Sequence, residues 1–182
     1  MRYCPICDGY EVTDKRIAIL GGSERSAKEA LFLRSYSADV TLITTQTVEE
    51  MSSDCARTLA AANIRQVSGP LDVITLDAEH IVLGTPMETL RFDTLYPALG
   101  KETCSQLAIV LGAKTTQDGG LTVDARQRTS LSGLYAAGDV VHGLDQISHA
   151  MGEGGVAATT VRNDLERAAR SWRRPIAVEP HR

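Results

Sequence analysis

The sequence has no surplus of positive charge: 19 Lys and Arg stand against 23 Asp and Glu, for a formal charge of -4 at pH 7. Nucleic acid or an anionic bilayer as the main partner would call for a basic face, so neither is expected. Basic residues do gather from Arg167 to Arg174, which reads as a solvated helix end. No run approaches the roughly 20 apolar residues that a membrane helix needs. Met1-Arg2-Tyr3 leads straight into cysteines with no apolar signal segment, so a cytoplasmic location and no membrane are expected. Internal repeats, low-complexity tracts and a second close pair of cysteines are also missing. What remains is a 182-residue chain, 43% hydrophobic, with material for one ordinary core or two small ones.

The first chemistry-bearing stretch is Tyr3-Cys4-Pro5-Ile6-Cys7-Asp8-Gly9-Tyr10. In a reducing cytosol a close cysteine pair reads as metal-binding or catalytic. A closed structural zinc site needs four ligands, usually two such pairs. Cys55 and Cys104 are isolated and fall in segments with helical spacing, so they read as buried small apolar residues, and His142 and His149 would join only by coincidence. No metal is therefore expected. The redox reading needs less: one thiolate attacks a substrate disulfide and the second resolves the mixed disulfide. Pro5 stiffens the ring and withholds a backbone donor. Asp8 is either the group that gives and takes the proton of a leaving thiolate or a turn residue before Gly9, and local sequence leaves both readings open.

Arg16 to Leu20 is an aliphatic run ending in Gly21-Gly22, which predicts a buried parallel strand and a tight turn. Ala27, Ala30, Leu31 and Leu33 then follow helical spacing; Ser26 and Glu29 have the spacing of a capping box, and Ser23 serves equally well as N-cap. Asp39 to Ile43 completes a β-α-β unit. A second helix is expected over Val48 to Ala62 and a third strand over Ile64 to Val67. From Leu71 to Leu99, the runs Asp72 to Leu76, His80 to Leu83, Met87 to Phe92 and Thr94 to Leu99 predict an appended antiparallel meander. A boundary is expected near Gly100-Lys101-Glu102. Beyond it come a short helix (Cys104 to Leu111), a strand near Leu121 to Val123, the segment Gly133 to Val140 and a long helix from about Gln146 to Arg170.

Taken in order, Cys4-Pro5-Ile6-Cys7-Asp8-Gly9, the strand with Gly21-Gly22, Ala98-Leu99-Gly100, Arg128-Thr129-Ser130, Gly133 to Val140 and the glycines Gly152, Gly154 and Gly155 resemble thioredoxin reductase of the low-molecular-weight, bacterial type and its relatives. The resemblance implies a three-layer α/β fold of the FAD/NAD(P)-binding, Rossmann-like kind. It divides the chain into a nicotinamide-nucleotide-binding-like domain over residues 1–99 that carries Cys-x-x-Cys, the C-terminal segment of an FAD domain over 100–172, and a tail over 173–182. Cys4 and Cys7 would be the redox pair and Asp8 the general acid. Gly138 and Asp139 would face FAD, Gln146 and Ile147 would start the last helix under the flavin, and the three glycines would let that helix lie close to the ring or to neighbouring backbone. Gly21, Gly22 and Ser23 would form the nucleotide turn.

Three departures bear on function. The dinucleotide fingerprint wants glycine, glycine and then glycine or alanine where this chain has Gly21, Ser23 and Ser26, and the Cβ of Ser23 stands where phosphates would come. Ile43 to Thr47 is neutral where an NADPH site would place a basic cluster, which argues against direct NADPH binding. Only a few residues precede Cys4, so the N-terminal half of the FAD domain is not in this chain. The expectation is a flavin-dependent thiol/disulfide oxidoreductase acting on a thioredoxin-like protein or a small dithiol or disulfide, as a homodimer or with a partner chain that completes the FAD site. The competing expectations are a dithiol oxidase that does not use NADPH, and a non-catalytic truncated module.

Overall fold

The computed structural model describes residues 1–44 and 51–169. The chain divides into two compact units between Gly100 and Lys101.

The first unit has three layers. Its middle layer is a parallel sheet of β1 (Ile17–Leu20), β2 (Val40–Ile43), β3 (Arg65–Val67) and β7 (Thr94–Pro97), in the order β3-β2-β1-β7. Successive side chains of a strand point to opposite faces, so an aliphatic run with no polar member is covered on both sides. In β1, Ile17 and Ile19 pack with Ala27, Ala30 and Leu33 of α2 (Glu24–Leu33) and Leu59 of α3 (Ser53–Ala61). Ala18 and Leu20 turn the other way, toward Ile81 and Leu83 of β5 (His80–Gly84) and Leu90 and Phe92 of β6 (Thr89–Phe92). With β4 (Val73–Asp77), these two strands form the third layer, an antiparallel sheet in the order β4-β5-β6. The expected three-layer α/β architecture is present in this unit.

Several sequence expectations change here. The run from Thr94 is not the last strand of the meander: it crosses back to lie parallel beside β1, with Ile19 opposite Tyr96, and it ends at Pro97. The burial pattern gives the reason. β6 alternates between exposed and buried residues, as a strand with one open face does, whereas Leu95 and Tyr96 are both fully buried, one in each core cluster. The outer edge of β7 takes a hydrogen bond from the Arg2 amide to the Leu95 carbonyl at 2.9 Å, so the segment just before Cys4 covers that edge. α2 is capped by Ser23 and not by Ser26 with Glu29. The Ser23 hydroxyl accepts from the Ser26 amide while the Ser26 hydroxyl accepts from the Ser23 amide, a reciprocal cap in which serine replaces the usual Glu. The expected helix from Val48 begins at Ser53; Val48 to Glu50 lie outside the described residues. α3 ends on Asn63 in the left-handed region (φ 54), a conformation that asparagine tolerates better than most residues.

The second unit, from Lys101, contains α4 (Gln106–Val110), α5 (Ile147–Ala169) and a small core of Ala108, Ala113, Leu121, Ala136 and Val141. The strand expected over Leu121 to Val123 is reduced to isolated bridges from Leu121 to Thr115 and to Val141. Arg170 and the tail from 173 lie outside the described residues. No described helix is long and apolar enough to cross a membrane.

An ion-pair cluster ties the loop of residues 124–136 to α5. Arg128 donates from Nε and Nη2 to the Asp164 carboxylate at 2.7 and 2.8 Å, and the Tyr135 hydroxyl donates to it at 2.9 Å. The Arg128 guanidinium first, and the Tyr135 hydroxyl second, hold the Asp164 carboxyl far below the usual carboxylate range. A group depressed in the fold adds stability above its unfolded pKa of about 4 and loses it as pH falls through the lower folded value. Asp164→Asn is therefore expected to lower the thermal midpoint at neutral pH. The gap from the wild type should close steadily below about pH 4; unfolding followed by circular dichroism across that range checks it, and a pH-independent gap would contradict the assignment.

Candidate active site

Cys4 and Cys7 are joined by a disulfide, with Cα atoms 5.3 Å apart. The geometry starts from Pro5. Its fixed φ and absent N-H suit the first helical position, so Pro5–Asp8 forms a single turn, α1, with Cys4 as its N-cap. That turn brings the Cys7 amide onto the Cys4 sulfur at 3.2 Å and onto the Cys4 carbonyl at 3.0 Å. Two thiols three positions apart on one turn are thus held face to face by local backbone alone. Cys7 is exposed and Cys4 half-buried. Around them stand Tyr3, Ile6 and Tyr10, 75%, 66% and 80% exposed, so the pair is open to a reactant.

Asp8 follows directly. Its Oδ1 accepts a hydrogen bond from the Tyr96 hydroxyl at 2.6 Å, and its Oδ2 lies 3.1 Å from Arg2 Nη1. Arg2 also pairs with Glu11 at 2.8 Å. Asp8 therefore makes two side-chain contacts to groups outside its own turn, more than a turn residue alone requires. Gly9 continues the chain beneath it; a Cβ there would come within 3.0 Å of the Tyr36 ring, so glycine lets this turn seat against α2. Neither Tyr96 nor Arg2 stood out in the sequence. The one available signal was a tyrosine in a run, Thr94 to Pro97, that the structure buries almost throughout.

The Gly21-Gly22-Ser23 turn keeps the strand-turn-helix form of a nucleotide site. A Cβ at Gly21 would fall 2.5 Å from the Ala98 carbonyl and 2.7 Å from the Ser26 Cβ, so that glycine is required by packing. The reciprocal cap consumes the amides of Ser23 and Ser26, and those of Glu24 and Arg25 have no acceptor among the described residues. Such a helix start can still receive a phosphate. The neutral stretch expected to decide ribose selectivity runs into Thr45 to Thr47, outside the described residues.

In the second unit, the Gly138-Asp139 turn lies against the first turns of α5: a Cβ at Gly138 would touch Ala150 at 3.4 Å. Gly138 is expected, with Asp139, to face FAD; its amide donates to Glu153 Oε2 at 2.7 Å, and Glu153 pairs with His149 at 3.0 Å. Asp139 is exposed, Gln146 is half-buried immediately before α5, and Ile147 is exposed at its first position. Lys101 holds Asp145 Oδ2 at 2.6 Å while Asp145 Oδ1 is buried with no hydrogen-bond partner among the described residues. An unpartnered buried acceptor is costly, and it suits a ligand rich in hydroxyl donors, as the ribityl end of FAD is. The close approach expected at Gly152, Gly154 and Gly155 is not made within this unit, where a Cβ at each meets nothing within 4 Å.

Among the described residues, no group of His, Cys, Asp and Glu could hold a metal ion. Cys55 and Cys104 are not the buried apolar residues expected: Cys55 is half-buried and Cys104 exposed.

Comparison with known proteins agrees with this geometry. Residues 1–154 match the family described as "Pyridine nucleotide-disulphide oxidoreductase". The chain is 25% identical over 190 residues to a thioredoxin reductase from Listeria innocua, covering 90% of this chain and 54% of the relative. Among solved structures, HlmI superposes with a TM-score of 0.78 at 26% identity, over 92% of this chain and 54% of that one. The thioredoxin reductase of Streptococcus pyogenes superposes with a TM-score of 0.79 at 22% identity, over 91% of this chain and 57% of that one, a likeness of fold. The chain thus spans about half the length of the relatives it matches. By the match over residues 1–154, together with a disulfide between Cys4 and Cys7, the chain belongs to the pyridine nucleotide-disulphide oxidoreductase family.

Proposed function

We propose that this chain carries the thiol/disulfide half of a flavin-dependent oxidoreductase, with Cys4 and Cys7 exchanging two electrons with a thioredoxin-like protein or a small dithiol or disulfide. The observation that carries the reading is the bonded Cys4–Cys7 pair, with Cys7 exposed, next to a carboxylate held by Tyr96 and Arg2. In the reduced protein one thiol gives its proton to Asp8 and its sulfur attacks a substrate disulfide, R-S-S-R′. The leaving R′-S⁻ takes that proton back. The second thiol then breaks the mixed disulfide, so that Cys4–Cys7 closes and R-SH departs. The balance is two protein thiols and one disulfide consumed, one protein disulfide and two small thiols formed. The Cys7 amide aimed at the Cys4 sulfur favours negative charge there when the bond is open.

FAD, when bound, would supply the two-electron reservoir that restores the dithiol. Asp139, Gln146, Ile147 and the buried Asp145 oxygen are the residues that would hold its ribityl and flavin end, and Gly21, Gly22 and Ser23 those that would meet a nucleotide phosphate. These residues account for part of such a site, as the chain spans about half the length of the relatives it matches. Ser23, turned into the helix cap, favours a second reading in which NADPH does not bind and electrons pass from substrate dithiols through flavin to oxygen. Comparing NADPH consumption with oxygen consumption in the assembled protein separates the two.

The test of the common core is redox cycling. After equilibration in dithiothreitol buffers of graded potential, alkylation and mass analysis should find two thiols that appear and vanish together at Cys4 and Cys7. A pair that stays bonded or free at every potential would end the proposal.

A further inference from the structure

The Tyr96 hydroxyl is the one polar atom of the site whose presence packing alone does not explain. Tyr96 is fully buried in the core between β1 and α2, where phenylalanine would fill the same space without a hydroxyl to satisfy. Its single hydrogen bond goes to Asp8, 88 positions away in sequence, at 2.6 Å. We propose that Tyr96 is a positioning residue for thiol-disulfide exchange: its hydroxyl fixes the Asp8 carboxylate in the turn that carries Cys7, so that Asp8 can take and return the exchange proton. This rests on the reading of Asp8 as the proton carrier.

The surroundings suit the role. The charged groups facing this pair are Arg2, which bridges Asp8 and Glu11, and Glu11 itself. Burial first, and the bond to Asp8 second, push the Tyr96 hydroxyl well above its ordinary range, so it stays a donor at any working pH and never competes with Asp8 as a base. With Arg2 on the other oxygen, the carboxylate is held at both ends, and freedom to swing is what such clamping removes.

The experiment uses the full chain in a Cys55→Ala, Cys104→Ser background, so that only the Cys4/Cys7 pair reports. The reduced protein is mixed with 5,5′-dithiobis(2-nitrobenzoate) in a stopped-flow instrument from about pH 5 to about pH 9. Asp8→Asn is expected to slow exchange about a hundredfold, and Tyr96→Phe about tenfold. In the Asp8→Asn background, Tyr96→Phe should add nothing. Asp8→Glu, which keeps the acid and Tyr96 but shifts the carboxylate by one methylene, should slow exchange as Tyr96→Phe does; it stands in if the phenylalanine variant fails to fold. If Asp8→Asn is slow while Tyr96→Phe or Asp8→Glu keeps the wild-type rate and profile, the positioning role is overturned and the Asp8 reading stands. If Asp8→Asn exchanges at the wild-type rate, the Asp8 reading falls and the role of Tyr96 with it. Additive losses in the double variant would also overturn the positioning role.

Discussion

Cys4→Ser and Cys7→Ser are each expected to abolish turnover in the assembled, flavin-loaded protein, a loss on the order of 10³-fold or more because a serine hydroxyl can neither close the pair nor leave as a thiolate. Replacing Cys55 or Cys104 is expected to leave turnover unchanged. The contrast is a strong one because Cys104 is exposed and Cys55 half-buried, so accessibility alone does not make a cysteine functional in this chain. What separates Cys4 and Cys7 is proximity: the Pro5–Asp8 turn holds them in bonding range. The two single variants should also differ. With Cys7 intact and Cys4 replaced, the amide that aims at the Cys4 sulfur no longer has a sulfur to serve, whereas Cys4 alone keeps it. Reaction of each remaining thiol with a small disulfide should then stop at a stable mixed disulfide, seen by mass spectrometry. Full turnover in the Cys4→Ser, Cys7→Ser double variant would defeat the assignment.

Gly21→Ala is expected to be the most damaging single substitution in the first unit. The added methyl group would sit 2.5 Å from the Ala98 carbonyl, which is backbone, and 2.7 Å from Ser26, whose side chain is fully buried. Neither neighbour has a flexible end to move. The Ala98 amide is itself bonded to the Leu20 carbonyl at 2.8 Å, and the Gly21 amide to the Ile43 carbonyl at 2.9 Å, so yielding at this point pulls on β1, β2 and β7 together. Overpacking against fixed backbone costs about 2 to 4 kcal/mol, which for a unit of this size lowers the thermal midpoint by on the order of 10 °C. Gly154→Ala is the internal control, since a Cβ there meets nothing within 4 Å in its own unit and alanine favours the helix. Thermal unfolding by circular dichroism decides it: a Gly21→Ala midpoint within experimental error of the wild type would mean the turn has room that the geometry denies.

The parts of the fold that could be read in advance are those whose cause is local. Ile17 to Leu20 is aliphatic throughout, and a strand buried on both faces has to be. The α2 signal lay in the spacing of Ala27, Ala30 and Leu33, all now in the core. Its cap was ambiguous because Ser23 and Ser26 each satisfy a cap pattern, and only the reciprocal bonds between them choose. The run from Thr94 was misassigned for a different reason. Sequence proximity to the meander argues for the antiparallel sheet, but Leu95 and Tyr96 each need a core, and only the place beside β1 offers one on either side. The cysteines show the same limit. Helical spacing around Cys104 suggested burial, yet α4 is a single short helix in a small unit and cannot cover every apolar position: Leu107 and Val110 are exposed with it.

The sequence by itself determined the cysteine pairing, because two thiols three positions apart with a proline between them are brought together by one turn of backbone and need no help from distant residues. It also determined the alternation that splits β1 between two cores. Tertiary structure alone decided who holds Asp8, since Tyr96 lies 88 positions away and reaches it only because β7 returns beside β1. It likewise decided that the Gly138 amide goes to Glu153, fifteen positions on. The physical reason is common to both: a hydrogen bond is specified by direction and a few tenths of an ångström, and over such separations those are set by where the chain comes back, which no local pattern records.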